Sequence, residues 1–272
     1  MCDVCVMNAV KDRMLSRRDF FKTTAAVGAA ATVGMTAAPA AMAAGHGGVV
    51  DMTHVYDDAF PTYFGAPGIT TEQPFNFAEH GFNLLQLSVN EHTGTHIDAP
   101  LHFSADGMSV EEIPVSSLVV PLCVVHIHDK AADNADAQVT PDDLKAWISA
   151  HGDIPEGACV AMHSGWDTKT GGAGYRNVGS DEKMHFPGFH IEATQMLLEE
   201  TSAVAMAVDT LSLDHGPSED FATHYAWLPA GRYGIENLAG LAEVPEAGAT
   251  LVVGAPTHRG GTGGPARIFA MV

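Results

Sequence analysis

The stretch from residue 91 to residue 103 reads EHTGTHIDAPLHF and holds three histidines and one aspartate. A glycine and a proline within it argue against a continuous helix, so the spacing predicts an extended or turning backbone. In an extended backbone His96 and Asp98 point to the same side, because side chains alternate. A turn at Gly94 would bring His92 to the same point. Two imidazoles and a carboxylate suit Zn²⁺, Mn²⁺ or Fe²⁺.

Three further residues extend this candidate site. His102 follows Asp98 by four residues, which is near enough to face a bound ion without being a ligand, where a proton-transfer group belongs. His224 and Glu236 are twelve residues apart and form a candidate second pair of ligands, although spacing alone is weak evidence for it. The alternative, a chance cluster of polar loop histidines, is disfavoured for residues 92–102 because glycine and proline stand where a turning metal loop needs them.

Composition limits the classes of protein. The chain has 272 residues, of which 46% are hydrophobic, and 13 basic against 33 acidic residues give a formal charge of −20. This apolar content excludes a disordered chain. The negative charge argues against binding to nucleic acid. Beyond residue 43, no stretch reaches about 18 uninterrupted apolar residues, so no stable insertion of that part of the chain into a membrane is predicted.

The first 43 residues have the features of an export signal. Residues 16–22 read SRRDFFK, the twin-arginine pattern, and an alanine-rich stretch follows over residues 23–42. It ends in Ala41-Met42-Ala43, which has the small-x-small form of a cleavage site. We therefore predict a twin-arginine signal peptide over residues 1–43, recognition by the twin-arginine export machinery, a mature domain over residues 44–272, and a periplasmic location.

Short apolar runs dominate the rest of the chain and predict an α/β fold, a single domain around a mixed sheet. The predicted strands cover residues 82–90, 118–128, 158–163, 203–209, 250–255 and 267–272. Helices are predicted over residues 141–150, with Thr140 as the N-cap, and over residues 191–200. Cys123 and Cys159 lie in apolar runs, which favours buried thiols; a disulfide between them is the alternative in an oxidising compartment.

The run from His92 to Phe103 resembles the HxGTHxDxPxHF signature of the metal-dependent cyclase family, which includes bacterial kynurenine formamidases and isatin hydrolases. Other landmarks of the family are similar to residues 51–54, 163–166, 186–189, 209–214, 236–238 and 260–267. The resemblance implies the swivelling β/β/α fold of that family and assembly as a homo-dimer or homo-tetramer.

The resemblance also implies roles for the site residues. His92, His96 and Asp98 would bind a first metal ion, and His102 would be the catalytic acid–base. In the two-zinc formamidases the equivalent of Asp98 bridges to a second ion, which here would be held by His224 and Glu236. The isatin hydrolases have an amide in place of the glutamate and use one manganese ion. The expected cofactor is therefore one or two ions of Zn²⁺ or Mn²⁺ per chain.

The expected activity is hydrolysis of a C–N amide bond by metal-activated water, on an aryl formamide such as N-formylkynurenine or a cyclic amide such as isatin. Phe64, Trp166 and His185 are candidate residues for binding such a small aromatic or cyclic substrate. The alternatives are a periplasmic metal-binding protein without turnover, and a lactone hydrolase or polyketide-type cyclase of the same fold.

Overall fold

A computed structural model describes residues 48–272, so the predicted signal peptide lies outside the described residues. Most of the strands form one nine-stranded mixed sheet in the order β1-β13-β11-β5-β7-β9-β10-β4-β12. The strands are β1 (Val49–Asp51), β2 (Ile69–Phe75), β3 (Leu84–Val89), β4 (His96–Asp98), β5 (Val119–His126), β6 (Gln138–Val139), β7 (Cys159–His163), β8 (Gly188–Phe189), β9 (Ala205–Val208), β10 (Tyr233–Glu236), β11 (Ala249–Gly254), β12 (Gly263–Pro265) and β13 (Arg267–Met271).

The centre of the large sheet is parallel. Strands β5, β7, β9 and β10 run in one direction, and the strands on both sides of them pair antiparallel. All residues of β7 and β9 are buried, which is expected for parallel strands covered on both faces. The predicted α/β fold around a mixed sheet is confirmed.

Five α-helices accompany the strands within residues 48–272: α1 (Phe77–His80), α2 (His128–Asp133), α3 (Pro141–His151), α4 (Ile191–Glu200) and α5 (Ala222–Trp227). The two predicted helices are confirmed as α3 and α4. The first turn of α3 is held by a capping box, in which Asp143 accepts hydrogen bonds from the backbone N–H and the hydroxyl of Thr140, both at 2.7 Å. Leu144 and Trp147 then pack against one face of the sheet.

One predicted strand ends earlier than expected, and the predicted burial of the two cysteine thiols is confirmed. The strand predicted to run to residue 128 ends at His126, and His128 is the first residue of α2. Cys123 and Cys159 are free thiols that belong to the hydrophobic clusters on opposite faces of the sheet, so they do not form the alternative disulfide. Burial raises the pKa of Cys123 to about 12 and also raises the pKa of Cys159, so both thiols stay protonated.

Strands β2 and β3 form a separate two-stranded hairpin. Every residue of β3 is exposed, including Leu85 and Leu87, whose side chains point to the same face of the ribbon. An isolated two-stranded ribbon is only marginally stable in water. Among the described residues, no helix has the length and apolar character needed to cross a membrane.

Candidate metal centre

Strand pairing assembles the centre of the candidate site. Strand β10 pairs antiparallel with β4, which places Glu236 opposite His96 and Gly234 opposite Asp98. A Cβ atom at Gly234 would lie 3.2 Å from Oδ2 of Asp98, so glycine there leaves room for the carboxylate. His96 and Glu236, which are 140 positions apart in sequence, are thus brought together by the register of one strand pair.

The first candidate ligand group is the one predicted from the local motif. His92, His96 and Asp98 present ligand atoms that all lie within 4.8 Å of one another. Oδ1 of Asp98 is 2.7 Å from Nδ1 of His92 and 3.3 Å from Nε2 of His96. The turn at Gly94, where φ is +65°, lets the chain double back between the two histidines.

The second group shares Asp98 with the first. Asp98, His224 and Glu236 also place their ligand atoms within 4.8 Å of one another. Nε2 of His224 lies 3.2 Å from Oε1 of Glu236 and 3.8 Å from Oδ2 of Asp98. The other carboxylate oxygen of Glu236 is 3.3 Å from Nε2 of His96. Each of the two carboxylates therefore turns one oxygen toward His96 and the other toward His224.

Hydrogen bonds fix which ring nitrogen faces the centre. Nδ1 of His96 donates to the carbonyl of Gly94 at 2.8 Å, and Nδ1 of His224 donates to Oδ2 of Asp214 at 2.6 Å. In both rings Nε2 therefore faces the two carboxylates, and it is the nitrogen that would bind a metal ion in place of a proton. Asp214 was not assigned from sequence. It lies within a stretch that resembles the family, but no spacing pairs it with His224.

The donor set fits a divalent cation. His96 Nε2 and Asp98 Oδ2 are buried and have no hydrogen-bond partner among the described residues. Burial alone would lower the pKa of His96, but the adjacent carboxylates of Asp98 and Glu236 outweigh it and raise that pKa to about 10. The two carboxylates thus favour a positive charge at this centre, either a proton on an imidazole or a bound cation. Buried polar atoms left unpaired are costly, and an ion would satisfy both of them.

His102 lies beside the ligand groups without belonging to either. Its ring stacks on the ring of His92, with centroids 3.8 Å apart and an angle of 22° between the planes. Burial lowers the pKa of His102 to about 4, so its imidazole is neutral at pH 7. A neutral imidazole at this position can accept and return a proton.

A cavity of about 310 Å³ opens above these groups. Its walls are mostly aromatic and apolar, and its lining includes Tyr63, Phe64, Phe103, Leu211 and Phe221 together with His92, His96, His102, His224 and Glu236. A slot of this size with an apolar wall and a polar end suits a small planar molecule.

The structure brings only one of the three predicted substrate residues to this cavity. Phe64 lines it, with 81% of the residue exposed. Trp166 is only 2% exposed and is buried in a hydrophobic cluster with Tyr175 and Phe186, where its Nε1 donates to the carbonyl of Tyr175 at 2.8 Å. His185 lies away from the cavity lining and pairs with Asp136 at 2.8 Å. Neither Trp166 nor His185 therefore lines the cavity in which a substrate would bind.

Residues 50–215 match a family profile described as Cyclase, which covers more than half of the chain. The chain belongs to the cyclase family. A second profile, for the twin-arginine translocation signal, matches residues 14–34, so the chain carries a signal sequence of that export pathway.

The chain is similar in sequence to two bacterial hydrolases. The isatin hydrolase of Roseibium aggregatum is 30% identical over 196 residues, which cover 68% of this chain and 73% of the relative. The kynurenine formamidase of Salinibacter ruber is 27% identical over 202 residues, which cover 71% of this chain and 81% of the relative.

Solved structures agree with this assignment of the fold. Isatin hydrolase A from Labrenzia aggregata, bound to benzyl benzoate, superposes with a TM-score of 0.78 at 34% identity, covering 82% of this chain and 93% of that one. A protein from Bacillus stearothermophilus described as a metal-dependent hydrolase superposes with a TM-score of 0.63 at 26% identity, covering 82% and 97%. The chain has the single-domain fold of the isatin hydrolases.

The bond between Asp214 and His224 gives a first prediction. Replacing Asp214 by Asn removes the charge that orients the ring of His224, so we expect the affinity for metal to fall about 10- to 100-fold. The measurement is a competition titration with a chromophoric chelator. Asp220→Asn, at an exposed carboxylate on the same loop, serves as the matched control and should leave the affinity unchanged. Equal affinities for Asp214→Asn and the unaltered protein would contradict this role.

Proposed function

We propose that this chain is an exported, metal-dependent hydrolase that cleaves the C–N bond of a small aromatic amide. The candidate substrates are an aryl formamide such as N-formylkynurenine and a cyclic amide such as isatin. The names of the relatives support this reaction class. The observation that carries the proposal is the unpartnered pair of buried atoms, His96 Nε2 and Asp98 Oδ2, next to an aromatic cavity that His102 also lines.

The residues around the cavity can each be given a role in this hydrolysis. A divalent cation held by the ligand residues would lower the pKa of a water molecule and polarise a carbonyl group. His102, neutral and facing the cavity, accepts a proton from the attacking water and returns it to the leaving nitrogen. Phe103 and Phe221 enclose the ring of a planar substrate and limit the access of bulk water. Asp214 holds His224 in the ligand tautomer.

We further propose two ions per chain, with Asp98 shared between them. Asp98 belongs to both candidate groups, and Glu236 supplies a carboxylate where an amide would bind a cation more weakly. This ligand set favours the two-metal arrangement of the formamidases over the single ion of the isatin hydrolases. Zn²⁺ and Mn²⁺ are both compatible with mixed imidazole and carboxylate ligands.

The deciding experiment combines metal analysis with substrate assays on the purified protein. We expect about two ions per chain and hydrolysis of N-formylkynurenine or isatin that stops on chelation and returns with Zn²⁺ or Mn²⁺. Turnover of an aryl lactone but of neither amide would replace the proposed bond specificity. Bound metal without any turnover would favour a metal-binding protein, and no bound metal would contradict the proposal altogether.

We also propose cleavage after Ala43 and delivery of residues 44–272 to the periplasm through the twin-arginine machinery. The profile match over residues 14–34 supports this route. The N-terminal sequence of the protein recovered from a periplasmic fraction should begin at Ala44. Recovery of the intact leader, in the cytoplasm only, would contradict this assignment.

The exposed hairpin supports a further proposal, that the protein is a homo-oligomer in which a second copy covers β3. Leu85 and Leu87 are 56% and 52% exposed, which is unusual for adjacent leucines on one face of a ribbon. The double substitution Leu85→Glu and Leu87→Glu should convert the dimer or tetramer to a monomer, as measured by light scattering. Gln86→Glu adds a charge on the opposite face and is the control. A monomeric unaltered protein, or an unchanged mass in the double variant, would overturn the proposal.

A further inference from the structure

A second cluster of histidines lies outside the cavity. His126 is the last residue of β5, His163 is the last residue of β7, and His128 is the first residue of α2. Strands β5 and β7 are paired in register at His126 and His163. The three ring centroids are 4.8, 5.4 and 5.5 Å apart. The three imidazoles therefore form a triangle at the carboxyl edge of the parallel strands.

We propose that this triangle is a binding site for a divalent transition-metal ion that prefers imidazole, namely Cu²⁺ or Zn²⁺. One nitrogen from each ring can be chosen so that all three lie within 4.8 Å of one another. An all-imidazole set favours Cu²⁺ and Zn²⁺, whereas Mg²⁺, Ca²⁺ and Mn²⁺ prefer oxygen ligands. Three protein ligands leave a fourth position open for water or another small ligand.

The geometry needs only a small adjustment to hold an ion. Nδ1 of His126 lies 2.7 Å from Nδ1 of His163. Two nitrogen ligands of a tetrahedral ion are about 3.3 Å apart at the usual bond length, so one ring must turn until its nitrogen has moved by about 0.6 Å. The half-buried ring of His126 has room to do so, while His163 is fixed by burial. The hydrogen bond between the two Nδ1 atoms places a proton on one of them, and that proton must move to Nε2 of the same ring when an ion binds.

The triangle is separate from the cavity site and is open to solvent. None of its three residues lines the cavity. Strand β7 is two places from β10 in the sheet, which separates His163 from Glu236 by about 10 Å at the usual strand spacing. The side chain of His128 is 50% exposed, which gives an ion a route in, and the formal charge of −20 attracts cations to the protein.

The test is a titration of the purified protein with Cu²⁺ alone. Calorimetry measures the number of bound ions, and electron paramagnetic resonance reports their ligands. We expect the unaltered protein to bind one more Cu²⁺ per chain than His128→Ala, with a nitrogen-rich spectrum that this variant lacks. Any residual affinity of the variant at the triangle should fall more than 10-fold, since even a supporting partner of a ligand contributes that much. Because His128 is half exposed and opens a short helix, its loss leaves the fold intact.

Two controls make the result specific. His80→Ala removes a histidine of the separate hairpin and should leave the extra Cu²⁺ in place. His126→Ala should remove it, as His128→Ala does. Mn²⁺ should bind equally to the unaltered protein and to His128→Ala, because only the mixed imidazole and carboxylate site takes it. Equal numbers of bound Cu²⁺ in the unaltered protein and in His128→Ala would overturn the proposal, whatever the outcome at the cavity site.

Discussion

His102→Asn should abolish most of the hydrolytic activity while leaving the bound metal in place. Asparagine fills a similar volume but cannot take up and return a proton, and general acid–base catalysis contributes about 10²- to 10⁴-fold to the rate. The ring of His102 stacks on His92 but belongs to neither ligand group. We therefore expect kcat to fall by that factor with little change in KM, measured on whichever amide the protein turns over.

The metal content of the same variant separates catalysis from ligation. An unchanged number of ions with lost turnover supports a proton-transfer role for His102. Loss of the ions together with the activity would make His102 a ligand or a support for His92. Full activity in His102→Asn would contradict the assignment. His80→Asn, the same change on the separate hairpin, controls for the loss of an imidazole elsewhere.

Asp98→Asn should release the metal and destabilise the fold. Asp98 is fully buried and is the one residue shared by both ligand groups, so its charge acts on every ion bound there. We expect the affinity for metal to fall by more than the 10- to 100-fold that is typical for a supporting partner. Removing one member of a buried charged cluster also costs about 3–5 kcal/mol in the free energy of unfolding.

Metal analysis and thermal unfolding, with and without chelator, measure both effects. In the unaltered protein the chelator should lower the melting temperature, because a bound ion stabilises the folded state. In Asp98→Asn the chelator should have little further effect. Asp106→Asn, at an exposed carboxylate in the same loop region, is the matched control and should behave like the unaltered protein. Full metal retention in Asp98→Asn would contradict the shared-ligand role.

The local motif could be read from sequence because its parts lie close together in the chain. His92, His96 and Asp98 lie within seven residues, and alternation along an extended chain brings the last two to one side. Alternation along a local strand does not predict the position of His224. This residue lies on the six-residue helix α5 and meets the ligands of the local motif only through tertiary packing. Asp214 was missed for the same reason, since its role depends on where α5 packs.

Residue type alone does not predict which aromatic side chains line the cavity. Trp166 and Phe64 were equivalent candidates for the cavity in sequence. Packing decided between them: Trp166 is enclosed with Tyr175 and Phe186, whereas Phe64 stays at the open rim. His185 was likewise assigned by its neighbourhood in sequence, but the carboxylate of Asp136 holds it elsewhere. Contacts between distant segments set these outcomes, and local sequence does not encode them.

The pairing of β10 with β4 ties coordination to strand register. Because side chains alternate, a slip of one residue would turn Glu236 to the other face and replace it at the centre with Ile235 or Asn237, neither of which has a carboxylate. An ion that binds both strands therefore stabilises the native alignment over the slipped one by the part of its binding free energy that Glu236 contributes. The same contact spans 140 residues, so Glu236 meets the ligands on β4 only after the long segment between the two strands has folded. An ion would then bind the full ligand set only after β4 and β10 have paired, so metal binding would follow the formation of this part of the sheet and would not nucleate it.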